Sequence, residues 1–261
     1  MNRLTSILAS ILIGGAVQAL AVLPGQAGEN LDAIKAAGVI KIGTEGTYAP
    51  FTYHDPSGKL VGFDVEIGEA IAEKLGVKPE FVEGKWDGLI AGLDVKRYDA
   101  VINQVGITEE RKAKFDFSEP YIASKAALIV REDNADIKAF ADLKGKKSAQ
   151  SLTSNYGKMA EAAGAELVGT DGFDQSIALV VQGRADATIN DSLSFLDFKK
   201  KKPDAPVKIA ATEEQAAYSG VIVRKGDPEL VAAINKALED IKADGTYKTI
   251  ADKYFGQDVS Q

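Results

Sequence analysis

Residues 39–82 read VIKIGTEGTYAPFTYHDPSGKLVGFDVEIGEAIAEKLGVKPEFV, and the change of period along them decides the fold class. Residues 39–43 (VIKIG) form a short apolar strand that runs into a glycine-rich turn. In 63–75 (FDVEIGEAIAEKL), Val65, Ile67, Ala70, Ile71 and Leu75 fall at roughly helical spacing, and Gly76 supplies a stop. Residues 79–82 return to a strand. Working outward, 88–93 suggests a short helix and 99–105 (DAVINQV) another apolar strand. Strands alternating with helices at this pace predict βαβ units and a parallel sheet. The pattern repeats further on. Residues 126–130 (AALIV) read as a strand and 136–143 as a short helix. Elements follow at 155–163, 166–169, 174–182 and 187–190. Residues 220–224 (GVIVR) are a strand, and helices over 229–242 and 246–254 close the chain.

Two pairs of segments echo each other. AALIVR at 126–131 is like GVIVR at 220–224, and DAVIN at 99–103 is like DATIN at 186–190. The echoes fit two lobes of similar build, and equally fit strand ends that merely share composition. No long flexible linker divides the chain, so the segments AALIV and GVIVR are the natural crossings between lobes.

Composition narrows the function. The chain has 261 residues, a size between one large and two small domains. A net charge of −7 argues against nucleic acid or an anionic membrane surface as partner. There is no cysteine, which excludes disulfides and thiolate chemistry. The one histidine, His54, excludes a zinc site built on two. It sits in a polar turn, YHDPSG. Residues 1–27 place Arg3 before an acid-free apolar run that ends at Pro24, with small residues up to Ala27. That pattern predicts a signal peptide cleaved after Ala27 and export to a periplasm, rather than a membrane anchor. No cysteine follows to carry a lipid.

No phosphate-cradling GxxxxGK[ST] sequence and no GxSxG elbow appears. Catalytic residues, metal ligands and cofactors are therefore not nominated. Binding candidates cluster after strands, where open α/β sheets collect ligands. Glu45 follows the first strand and could receive a cation, and Tyr48 could cover an apolar part. Trp86, the single tryptophan, reads as core on its own. After the DAVIN strand, free N–H groups around Gly106 together with Arg111 could grip a carboxylate, because the guanidinium fork makes bidentate bonds. Ser154 and Asn155 open a helix. Asp191 ends the DATIN strand, where it could take an α-ammonium or cap the helix that follows. An Arg on one lobe and an Asp on the other would clamp a zwitterion.

These motifs resemble the polar amino-acid-binding proteins of bacterial ABC importers. The resemblance spans essentially the whole chain after residue 27. Its carriers are GTEGTYAPFTY, LVGFDVEIGEAIAEKLG, KWDGLIAGL, ITEERKAKFDFSEPY, GRADATINDS and DGTYKTIADKYFG. KWDG, INQV and Glu45 look most like the cystine-binding branch. The resemblance implies a two-lobed α/β periplasmic binding protein fold of type II. Each lobe carries a mixed five-stranded sheet, and two strands cross between them. Lobe 1 would comprise 28–128 plus 222–261, and lobe 2 would comprise 129–221. It implies that Arg111 binds the ligand's α-carboxylate and Asp191 its α-ammonium. Tyr48 and Trp86 would wall the pocket, which reverses the core reading of Trp86. Glu45, Asn103, Gln104, Ser154 and Asn155 would add polar contacts. The implied partners are a small polar L-amino acid, cystine or cysteine first, and a membrane permease, with the protein monomeric. Dehydratases acting on cyclohexadienyl acids share the scaffold and are the alternative. Two positions depart from the family: Gly106 stands where Ser or Thr is usual, and Thr153-Ser154 where Gly-Thr is usual. Thr153 would add bulk to a tight turn that normally exploits glycine.

Overall fold

The computed structural model describes residues 29–261, and the expected signal peptide lies outside them. Two mixed five-stranded sheets carry the fold. The first runs in the order Lys78–Glu83, Val39–Thr44, Ala100–Val101, Ile222–Arg224, Phe115–Phe117. Its fourth strand, Ile222–Arg224, is antiparallel to both neighbours, while the first three are parallel. The second runs in the order Glu166–Gly169, Lys147–Gln150, Ala187–Asp191, Ala126–Arg131, Val207–Thr212. Its fourth strand, Ala126–Arg131, is again the reversed one.

The sequence echoes therefore mark equivalent places. AALIVR and GVIVR supply the reversed fourth strand of each sheet, and DAVIN and DATIN the third. Even the aspartates act alike. Asp99 Oδ2 accepts from Lys41 N at 2.9 Å and Asp186 Oδ2 accepts from Lys147 N at 2.8 Å, each across to the second strand of its sheet. Shared composition alone does not produce shared register and shared hydrogen bonds, so the two-lobe reading wins.

The unbroken apolar run at 126–130 has a packing cause. Ala127 and Ile129 face a cluster with Phe173, Ile177 and Phe198. Ala126, Leu128 and Val130 face another with Ile137, Leu143 and Ile189. A strand buried on both faces reads as continuous rather than alternating. The first lobe does the same, with Val221 and Val223 turned to one cluster and Ile222 to another.

The crossing differs from the expectation. AALIV lies wholly within the second sheet, and GVIVR enters the first sheet only at Ile222–Arg224. The main-chain ladder between the lobes is Ile122–Ser124 paired antiparallel with Ala217–Ser219, one step earlier on each pass. A division at 128/129 would cut a strand whose partners all belong to the second sheet.

The helix Phe63–Leu75 forms over the expected residues and ends at Gly76, whose φ of 75° suits glycine. It starts at Gly62, where φ is 139° and a Cβ would fall 2.1 Å from the Phe51 carbonyl oxygen. Only glycine fits that approach. Two expected helices are shorter or tighter. Residues 88–93 become the helix Trp86–Leu89 followed by a 3₁₀ turn, Ile90–Leu93. Residues 136–143 keep only the 3₁₀ turn Phe140–Leu143. The strand expected over 99–105 pairs only at Ala100–Val101, because the chain turns left-handed at Gln104, φ 52°. Among the described residues no helix is long and apolar enough to cross a membrane.

Candidate functional site

The two sheets point the ends of their strands at a shared cleft. A small cavity lies in it. Seven of the ten candidate residues line it: Glu45, Tyr48, Trp86, Asn103 and Gln104 from the first lobe, Ser154 and Asn155 from the second. The cleft is closed. Tyr48 OH donates to Asn190 Oδ1 across it at 2.6 Å. Thr153 donates to Asp87 Oδ1 from both its N–H and its hydroxyl, at 3.0 and 2.9 Å. Ser194 Oγ donates to the Ala49 carbonyl oxygen at 2.9 Å, and Lys85 pairs with Asp171 at 2.6 Å.

The other three candidates, Gly106, Arg111 and Asp191, do not line it; Arg111 lines a neighbouring pocket together with Trp86, Asp87 and Asn155. Arg111 Nη1 donates to the Gly106 carbonyl oxygen at 2.9 Å and reaches Asn155 Oδ1 at 3.5 Å. Its guanidinium lies 5.3 Å from the Trp86 ring centroid. Asp191 meets the second of its two readings, the helix cap. Oδ1 caps the helix Ser192–Lys201 by accepting from Leu193 N at 2.8 Å. Oδ2 accepts from Ser124 Oγ, on the crossing strand, and from Tyr156 OH at 3.4 Å. Tyr156 itself lines the cavity.

The electrostatics of the cleft are incomplete. Burial pushes Asp191 up to about 6, against the opposing Ser124 hydrogen bond. Burial pushes Glu45 up to about 7, against the hydrogen bond from Asn103 and with Asp87 adding repulsion. Burial likewise raises Asp64 to about 7, opposed by its bonds from Gln104. Burial pulls the Arg111 guanidinium down, yet a guanidinium stays charged at any physiological pH. Among the described residues none of these four groups has an ion-pair partner within 4 Å. Buried charges are ordinarily paired. Here the chain leaves the pairing open on both sides of the cleft.

Two neutral groups are open as well. Trp86 Nε1 and Gln104 Oε1 are buried and have no hydrogen-bond partner among the described residues. Trp86 is 8% exposed and packs with Leu89, Val101 and Phe115, so it is both core and cavity wall. Both atoms belong to residues that line the cavity, and buried donors and acceptors are ordinarily paired.

The sequence reading missed Gln150, Tyr156, Phe173, Ser176 and Asn190, all of which line the cavity. Asn190 had a usable signal: it occupies in DATIN the place that Asn103 occupies in DAVIN. Thr153 corrects an expectation. Its turn makes no use of glycine's freedom, since Lys96 and Gln104 are the only non-glycine described residues at positive φ. Its side chain instead binds Asp87 across the cleft. At Gly106 a Cβ would meet Arg111 Nη1 at 3.5 Å and Asn155 at 3.6 Å, which is ordinary contact. Glycine is not forced there. No group of three or more potential metal ligands occurs among the described residues.

This is the architecture of a type II periplasmic binding protein: two α/β lobes closing on a polar cavity with unpaired charges. Residues 40–257 match the bacterial extracellular solute-binding proteins, family 3, and the chain belongs to that family. It is 48% identical over 229 residues to the L-cystine-binding protein TcyA of Bacillus subtilis, covering 87% of this chain and 85% of that protein. The L-cystine solute receptor of Neisseria gonorrhoeae, solved in its unliganded open conformation, is 53% identical. Its TM-score is 0.59, over 89% of this chain and 99% of that one. An ancestral arginine-binding protein bound to arginine is 43% identical, with a TM-score of 0.79 over 84% and 99% of the two chains. The more identical structure overlaps less well, as a closed cleft compared with an open one should. Two of the three are named as binding proteins and one as a solute receptor, none as an enzyme.

Proposed function

We propose that this protein is exported to the periplasm, where as a monomer it captures one polar L-amino acid, L-cystine before others. It would then present the closed, loaded cleft to the permease of an ABC importer. The observation that carries this reading is a pair of charges on the two lobes without an ion-pair partner among the described residues, the half-buried Arg111 and the buried Asp191. A zwitterion satisfies both: the α-carboxylate takes Arg111 and the N–H groups near Gly106, and the α-ammonium takes Asp191. Glu45 is a further buried acid without a cation. It suits the second ammonium of cystine, which the names of the cystine-binding relatives also support. Glu45 would serve a guanidinium equally, so arginine is the competing ligand. The binding-protein names of the relatives favour capture over a dehydratase reaction.

Calorimetry of the purified protein with L-cystine, L-arginine and L-glutamine tests the proposal. Arg111→Ala strands the ligand carboxylate in a buried site and should cost about 2–5 kcal/mol of affinity. Unchanged affinity in that variant refutes the clamp. Turnover of prephenate or arogenate by the wild-type protein would refute the binding-only role.

A further inference from the structure

Asp64 is fully buried in the first turn of the helix Phe63–Leu75, and the proposed clamp makes no use of it. It binds one residue twice. Oδ2 accepts from the Gln104 main-chain N at 2.7 Å and Oδ1 accepts from Gln104 Nε2 at 2.9 Å. Tyr121 OH stands 3.3 Å from the same main-chain nitrogen. Gln104 is held in the left-handed region at φ 52°, a conformation that a non-glycine residue adopts only when its surroundings impose it.

The bidentate grip fixes more than the backbone. A glutamine amide turned through half a circle exchanges a donor for an acceptor in almost the same space. An ionised carboxylate only accepts, so above about pH 7, where Asp64 is ionised, the amide nitrogen faces Asp64. The oxygen is then turned away, and Gln104 Oε1 is the buried acceptor left without a partner on the cavity wall. We infer that Asp64 is a specificity-determining positioning residue. By locking the Gln104 amide with its oxygen toward the cavity, it selects ligands that present an N–H or O–H there and disfavours ligands that present an oxygen acceptor. The inference rests on the proposed amino-acid site and deepens it, since it assigns the polarity of the ligand group that meets Gln104.

Asp64→Asn is the informative change. Its amide can donate to Gln104 Oε1, which lets the Gln104 amide turn and offer its nitrogen to the cavity. Two mixed disulfides of L-cysteine serve as probes. The cysteamine adduct keeps the distal ammonium, and the 3-mercaptopropionate adduct keeps the distal carboxylate. Titrations run at pH 8, above the value of about 7 to which burial brings Asp64. The wild-type protein should prefer the cysteamine adduct. Asp64→Asn should shift that preference by about tenfold or more toward the carboxylate adduct, the worth of one hydrogen bond to a charged group. Asp64→Asn also removes a negative charge, which by itself favours the carboxylate adduct, so the Gln104→Met background is needed to separate that charge effect from the turn of the Gln104 amide.

Gln104→Met removes the amide while keeping a side chain of similar length. It should weaken the preference by itself, and in its background Asp64→Asn should shift the preference clearly less than it does in the wild type, by the charge effect alone; an equal shift in both backgrounds overturns the inference. A merely structural Asp64 would lower affinity for both adducts equally, and that result overturns the inference. Should Asp64→Asn fail to fold by circular dichroism, Gln104→Met decides alone, and an undiminished preference overturns the inference. If the wild-type protein binds neither adduct nor any L-amino acid, the amino-acid reading falls instead, so the two failures are distinguishable.

Discussion

Replacing Asp191 with Asn should remove both the ligand's α-ammonium partner and a titration from the binding curve. The side chain keeps its shape, and Asn Oδ1 can still accept from Leu193 N, so the cap of the helix Ser192–Lys201 survives. In the ligand-free cleft, burial moves the aspartate from 3.8 to about 6. At about 1.4 kcal/mol per tenfold change, that is on the order of 3 kcal/mol charged against the ionised form. An ammonium seated on the carboxylate offsets that cost and draws the value back down. Binding of the ammonium ligand therefore requires a proton to leave as pH falls below about 6. For this group alone, affinity at pH 5 should be about tenfold weaker than at pH 8. Asp191→Asn leaves the ammonium buried without its counter-charge, costing about 2–5 kcal/mol, or roughly thirtyfold to a few thousandfold in Kd. The same variant should flatten the pH dependence that Asp191 contributes. Calorimetry at pH 5, 6, 7 and 8 in buffers of different ionisation enthalpy reads affinity and proton release together. A variant that binds within threefold of the wild type, with the same pH profile, refutes the assignment of Asp191.

Glu45→Gln should weaken L-cystine and L-arginine by tenfold or more while leaving L-glutamine within about threefold, because only the first two bring a second cation to a buried acid. Equal losses for all three ligands, measured by calorimetry, would contradict that role. Asp87→Ala removes both bonds from Thr153 that tie the lobes together. Exposed bonds of this kind are worth about 1 kcal/mol in total, so ligand release should quicken about fivefold with little change in association. Stopped-flow fluorescence of Trp86, the single tryptophan, follows both rates, and an unchanged release rate would refute the latch. Asp191, Glu45 and Asp64 all have folded-state values raised above their unfolded ones by burial. The folded protein thus holds protons that the unfolded chain has released. Their contribution to stability is present in full below about pH 4 and is lost as pH rises through 6 to 7. In differential scanning calorimetry the ligand-free Tm should fall from pH 5 to pH 8, and saturating ligand should recover most of the loss at pH 8. A Tm that rises over this range without ligand would contradict the account.

The fold was largely legible because its central segments have only one comfortable environment. The helix Phe63–Leu75 was readable to its ends, since its apolar spacing and Gly76 agree. AALIV and GVIVR were readable as strands because both faces of each are covered. Their sheet membership was not, since pairing partners lie far along the chain and the crossing falls on the less conspicuous residues Ile122–Ser124 and Ala217–Ser219. The DAVINQV strand was read too long for a similar reason. Asp64, forty positions earlier in the chain, pulls Gln104 out of the strand. The strand Val207–Thr212 and the helix Glu29–Ala37 were not anticipated at all. At the site, residues just after strands were found because strand ends point into the cleft. Tyr156 and Phe173 were not, since they reach the cavity from helices whose facing is set only by packing. Thr153 was judged as a turn residue, and its partner Asp87 on the other lobe is invisible to local sequence.

The central claim is that the cleft closes on a zwitterion held by Arg111 and Asp191. It is tested most directly by titrating the ligand-free protein with L-cystine and then D-cystine in a calorimeter at pH 8. The account predicts saturable one-to-one binding of L-cystine, strong discrimination against the D enantiomer, and near-complete loss of L-cystine binding in Arg111→Ala. No binding of L-cystine or of any other polar L-amino acid by the wild-type protein, or undiminished binding in Arg111→Ala, would contradict it.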